Sequence, residues 1–132
     1  MTTAAGNELS LRWGLLQAGQ VFPSPSGRKS FKITSITSEK VIIKTEKTEI
    51  TIRRAAFLFA LEYLRTHRHR EQNKVKIRSN KDIAKAGPLC VAIRNANGVN
   101  VMISTYVLPM LAEMKLVGID SAIPNRVWLT EQ

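Results

Sequence analysis

Residues 31–52 read FKITSITSEKVIIKTEKTEITI, and their rhythm decides the fold. Apolar and polar residues alternate, a period of two that sends successive side chains to opposite faces of a strand. Phe31, Ile33 and Ile36 mark a first strand with an irregularity near Ser35. Val41, Ile42 and Ile43 mark a second, and Ile50 and Ile52 a third. Ser38 and Glu39, then Glu46 to Thr48, supply the turns. The pattern predicts a three-stranded antiparallel meander with one apolar face and one solvated face of Lys, Thr and Glu.

Working toward the amino terminus, residues 23–30 (PSPSGRKS) have the Pro, Ser and Gly content of a turn. The GRKS ending is not a phosphate-cradling loop. Phe22 stands where that loop needs Gly, and Arg28 intrudes before Lys29. A basic hairpin tip able to touch a phosphate is the remaining use. Residues 7–18 predict a short helix capped by Asn7, with Leu9, Trp13 and Leu16 on one face and Gly19 past its end. Gly14 weakens that helix by roughly 1 kcal/mol relative to Ala.

Toward the carboxyl terminus, AAFLFALEYL (55–64) is apolar around almost its whole circumference, so a helix here is buried on several sides. Phe57, Leu58, Leu61 and Leu64 are expected core. Arg53 and Arg54 precede it, cations that oppose the helix dipole unless something negative lies near.

Next comes RTHRHREQNKVKIRSNKDIAK (65–85), with eight of the chain's twenty Lys and Arg, both histidines and two acids. A concentrated basic segment in a globular chain points to a polyanion, most often nucleic acid. Lys74 to Arg78 alternate, predicting a short strand with Val75 and Ile77 inward and three cations outward. Ser79 or Asn80 caps a short helix Lys81–Ala86 closed by Gly87 and Pro88, and residues 89–96 form a further helical piece. Asn97 to Asn100 (NGVN) form a loop. Ser104 caps a helix over 105–116 with an apolar stripe of Tyr106, Val107, Met110, Leu111 and Met114, and Pro109 makes it start late or bend. Residues 117–119 and 126–130 read as two strands around a polar turn.

The bulk figures set limits. At 132 residues, one domain with a real core is expected, a helix-plus-meander part over 1–53 and a second part over 54–132. A hydrophobic share of 44% and a charged share of 23% are those of an ordinary folded chain, with a net charge of +10. No apolar run approaches the roughly 20 residues that span a bilayer. The opening MTTAAGNELS lacks the features of a secretory signal. One cysteine, Cys90, rules out an intrachain disulfide and suits a reducing compartment. A cytoplasmic or nucleoid location is the expectation.

In order, residues 54–130 read helix, short strand, helix, helix, strand, turn, strand. With the run STYVLPMLAEMKLVGID…NRVWL, that order resembles the winged helix-turn-helix family. The resemblance implies a third helix that meets DNA and a terminal hairpin that forms a wing. The chain departs from it in one respect, since outside its stripe the third helix offers only Ser104, Thr105, Glu113 and Lys115, a near-neutral set. Base-reading groups are richer just before it, at Arg94, Asn95, Asn97 and Asn100. Arg can bind guanine and Asn adenine bidentately, although Asn is also a common turn residue. Phosphate contacts are expected from Arg65, Arg68, Arg70, Lys74, Lys76, Arg78, Lys81 and Arg126.

Catalytic patterns are weak. His67 and His69 lack a third ligand for zinc, Cys90 has no base beside it, and no nucleophile elbow occurs. Glu113-Met114-Lys115 spells half of a nuclease metal site, with Asp82 or Asp120 as the only partners. Trp128 alternates outward from Val127 and Leu129, where it packs on the amino-terminal segment or, as the alternative, stacks on a partner. The reading is an α+β protein that binds double-stranded DNA, a regulator or recognition module without catalysis, metal or cofactor. The alternatives are RNA binding, and a homodimer or protein-interaction subunit using the apolar helix 105–116.

Overall fold

The alternation of residues 31–52 is realised as β2 (Ser30–Ile36), β3 (Lys40–Lys44) and β4 (Glu49–Arg53), antiparallel neighbours with Ile33 opposite Ile43 and Val41 opposite Ile52. The register slips between Ile33 and Ser35, at the expected irregularity. The extra residue puts Ile36, rather than Ser35, opposite Val41, so β2 adds a partly buried apolar side chain to the inner face of buried Phe31, Ile33, Val41, Ile43 and Ile52. The molecule, seen as a computed structural model, is described over residues 4–24, 29–77, 86–98, 102–120 and 125–130.

Two expectations at the amino terminus need correction. A further strand, β1 (Val21–Pro23), pairs with β2, so the sheet has four strands in the order β1-β2-β3-β4. One inward residue, Phe22, is too little alternation to announce a strand. Its evidence is tertiary, in the ring stack on Phe31 at 5.4 Å and the edge contact of Phe31 with Tyr106 at 5.2 Å. The helix, α1, spans Ala4–Arg12 and continues as a 3-10 turn over Trp13–Leu15, so Asn7 lies inside it and caps nothing. Its face is as expected, with Leu9, Trp13 and Leu16 buried. Trp13 ties three elements together. Its Nε1 donates to the Thr37 carbonyl at 2.9 Å, its ring meets Phe57 edge-on at 5.0 Å, and the Arg54 guanidinium sits 4.9 Å from its centroid.

Helix α2 (Arg54–Thr66) follows β4 directly and is the central support of the fold. Phe57, Leu61 and Leu64 are buried as expected and Leu58 is partly so, whereas Phe59 remains exposed. Arg54 uses its charge internally, donating to the Ser38 carbonyl and to Ser10 Oγ. Arg54 therefore does not by itself require an outside anion.

Helix α3 is Pro88–Asn97, opened by Gly87 and Pro88 rather than following them. Proline suits a first helical turn, where its missing N–H has no partner to lose. The proposed helix 81–86 falls mostly on residues outside those described. Helix α4 (Ser104–Glu113) begins at Ser104 itself, with Ile103 as cap, and Pro109 sits inside it. Val107, Leu108, Pro109, Met110 and Leu111 are all buried, so α4 is a core helix. A short β5 (Val75–Lys76), β6 (Val117–Asp120) and β7 (Arg126–Leu129) form a second antiparallel sheet in the order β5-β7-β6. Mixed α+β architecture, with two antiparallel sheets around α2 and α4, is thus the fold. Among the described residues, no helix is long and apolar enough to cross a membrane.

Candidate nucleic-acid interface

The carboxyl-terminal sheet has two unlike faces, set by alternation along three short strands. Val75 lies opposite Val127, and Val127 opposite Ile119, which makes the inner face apolar. The outer face carries Lys76 opposite Arg126, Arg126 opposite Asp120, and Trp128 opposite Gly118. Lys76 and Arg126 are both exposed. Two cations facing each other across neighbouring strands repel, and an anion laid on the face would relieve that.

Lys74 extends this face by one residue. Its Nζ lies 4.7 Å from the centroid of the Trp128 ring and 3.5 Å from Asp120 Oδ2. The side chain therefore crosses over the indole to reach the far strand. Trp128 in turn lies flat on Gly118, where an added Cβ would come within 2.3 Å of the ring. Glycine is required here because the ring occupies the place of a side chain. Trp128 points away from Val127 and Leu129 as the alternation has it, but it is Leu129, on the other face, that lines the cavity against α1.

The end of α2 forms a second basic corner. Its backbone closes with Arg68 N–H to the Arg65 carbonyl at 3.1 Å and His69 N–H to the Leu64 carbonyl at 2.8 Å. This closure puts Arg68 at φ 56, a left-handed position usually given to glycine. His67 Nδ1 meets the Tyr63 carbonyl at 3.0 Å and His69 Nδ1 the Asn73 carbonyl at 2.8 Å. A carbonyl only accepts, so each Nδ1 carries the hydrogen and each Nε2 is the ring's other polar atom. The His67 ring stacks on Tyr63 at 4.1 Å, a pairing that the i,i+4 spacing allows. Burial, and to a lesser degree Cys90, pushes the Tyr63 phenol above its usual 10.0.

The expected phosphate contacts divide into three groups. Lys76 and Arg126 stand exposed on the outer face, and Arg65 and Arg68 stand exposed at the end of α2. Arg70 and Lys74 are occupied within the molecule. Arg70 donates to the Thr130 carbonyl at 3.1 Å, beside a cavity of about 310 Å³ also lined by Arg65 and Glu8. Lys74 holds the ion pair with Asp120 just described, and both are half-exposed. Arg78 and Lys81 lie outside the described residues.

Two of the expected base contacts, Asn97 and Ser104, are overturned. Asn97 is fully buried, its Oδ1 accepting from Arg53 N–H at 2.6 Å and its Nδ2 donating to the Thr51 carbonyl at 3.2 Å. An unpaired strand edge needs such partners, and this amide supplies them along β4. Ser104 is also buried, its hydroxyl donating to Cys90 Sγ at 3.0 Å. Thr105 is half-buried on α4, Arg94 and Asn95 lie near the end of α3, and Asn100 is outside the described residues. Asn97 is anchored at the start of α2 and the His67–Arg70 corner follows its end. Thirteen helical residues, about 20 Å, separate the two. The apolar stripe of α4 is likewise consumed inside the chain, so that helix has no apolar face to offer a partner.

The missed features are the seat of Trp128 on Gly118 and the crossing of Lys74. Alternation within 74–78 and 126–129 was legible, but which strands would lie side by side was not. Among the described residues, no group of three His, Cys, Asp or Glu could hold a metal ion. No family model matches the chain, and no match was found among curated proteins or solved structures.

Proposed function

We propose that the chain binds double-stranded DNA through the outer face of the β5-β7-β6 sheet and the adjoining end of α2, without catalysing a reaction. The observation that carries this reading is the pairing of exposed Lys76 with exposed Arg126 on one face, in a chain of net charge +10. Arg68 adds an exposed cation where the 69–77 segment leaves α2, whereas Arg65 lines the cavity on the Leu129 side of the sheet. His69 accepts from Leu129 N–H and Ile77 donates to the Asn125 carbonyl, so this segment runs along β7. Contacts of this kind address phosphates, which position a protein on a duplex without specifying sequence.

Lys76 and Arg126 stand exposed on that face, and cations so placed can release counterions from DNA. The test is duplex affinity measured against salt concentration. The logarithm of affinity is expected to fall linearly with the logarithm of salt, with a slope near −0.9 for each phosphate neutralised. Duplex RNA and single strands serve as competitors. A flat salt dependence, or stronger binding of duplex RNA than duplex DNA, overturns the reading.

A further inference from the structure

We propose that Trp128 is a stacking platform for an unpaired nucleobase, so that the preferred ligand is duplex DNA bearing a single-stranded overhang. The inference rests on the DNA reading above and names its substrate more closely. Within B-form DNA each base is covered by its neighbours, and only an end or an overhang offers a free π-face. Trp128 supplies the matching surface. Its ring is laid flat on Gly118, it is only half-buried, and it stands among Lys74, Lys76 and Arg126 on the outer face.

Lys74 is the present cover of that ring. It is held by two weak contacts, a half-exposed ion pair to Asp120 at 3.5 Å and a cation–π contact at 4.7 Å. A base stacked on an indole is worth more than either contact at such exposure. An arriving strand therefore offers Lys74 a phosphate in exchange for Asp120, and the vacated ring a base. Lys76, two residues along the same strand face and about 7 Å away, is placed for the next phosphate. A glycine at 118 is what lets the ring lie low enough to present a face rather than an edge.

The experiment compares three probes: a blunt duplex, the same duplex with a short thymine overhang, and the same with an abasic overhang of equal charge. The thymine overhang is expected to bind on the order of ten-fold tighter than the abasic one and to quench tryptophan emission. Trp13, buried against Phe57, does not respond. Trp128→Leu is expected to equalise the two overhangs, and Trp128→Phe to retain part of the difference. Should the leucine variant fail to fold, selective quenching of the wild-type chain by the thymine overhang decides the matter. Equal affinity and equal emission for both overhangs, with salt-dependent binding of the blunt duplex intact, overturns the inference alone. No binding of any probe overturns the DNA reading as well.

Discussion

Asn97 carries two hydrogen bonds to backbone groups more than forty residues away in the chain. Its amide accepts from Arg53 N–H and donates to the Thr51 carbonyl, both along the edge of β4. Asn97→Ala is expected to cost about 2 kcal/mol, since it strands buried polar groups. Asn97→Asp is expected to cost at least as much, because a carboxylate cannot donate to a carbonyl. A lower urea midpoint at unchanged m-value is the measurement. DNA preference at individual base pairs is expected to be unchanged in either variant. Tyr63 gives a pH dependence. Its phenol is raised above 10.0 by burial first and Cys90 second, so the folded chain holds that proton more tightly than the unfolded one. The associated stability is fully present below pH 10.0 and is lost as pH rises through the raised value. Tyr63→Phe is expected to lack that alkaline loss, read as the difference between the two chains' urea midpoints across the same pH series.

At the scale of elements, the end of α2 is closed by a backbone motif that forces Arg68 to φ 56. A side chain in that conformation costs about 1 kcal/mol or more, which glycine avoids. Arg68→Gly is therefore expected to stabilise the chain by about 1 kcal/mol, seen as a higher melting temperature. The same change removes an exposed cation, so the salt slope of duplex binding is expected to become shallower by about 0.9. Stability and binding moving in opposite directions would mark Arg68 as kept for contact rather than for folding. The meander was readable because its alternation is long and one-sided. The short strand β1 was harder, since one inward residue carries no period; β5 was announced by the alternation of 74–78, but the strand it would pair with was not. Helix α4, expected over 105–116, ends three residues earlier, and its surroundings stayed open because a stripe of apolar residues does not say whether the chain or a partner covers it.

Over the whole molecule, the surplus charge is distributed unevenly in function. Arg12, Arg54 and Arg70 donate to carbonyls of the Met114, Ser38 and Thr130 backbone, and Lys74 faces Asp120. Guanidinium groups suit this use, since several fixed donors satisfy carbonyls that a short helix or strand leaves open. The cations left for a polyanion are then those with exposed side chains, Lys76 and Arg126 foremost. Removing both in Lys76→Ala/Arg126→Ala is expected to weaken duplex binding to a similar extent for all sequences. The salt slope should fall by about two phosphates' worth. Unequal losses between sequences would mean that these residues read bases.

The order of amino acids by itself determined the α+β class, the meander with its irregularity at Ser35, the buried α2 and the concentration of positive charge in 65–85. Each is a local property, a period or a composition that neighbouring residues in the chain share. Only the tertiary structure decided which cations face outward, that Asn97 and Ser104 are internal fittings, and that Trp128 rests on Gly118 beneath Lys74. Those outcomes depend on which strands and helix ends become neighbours. Burial and hydrogen-bond demand then act on residues far apart in sequence, such as Asn97 and Thr51, or Lys74 and Asp120.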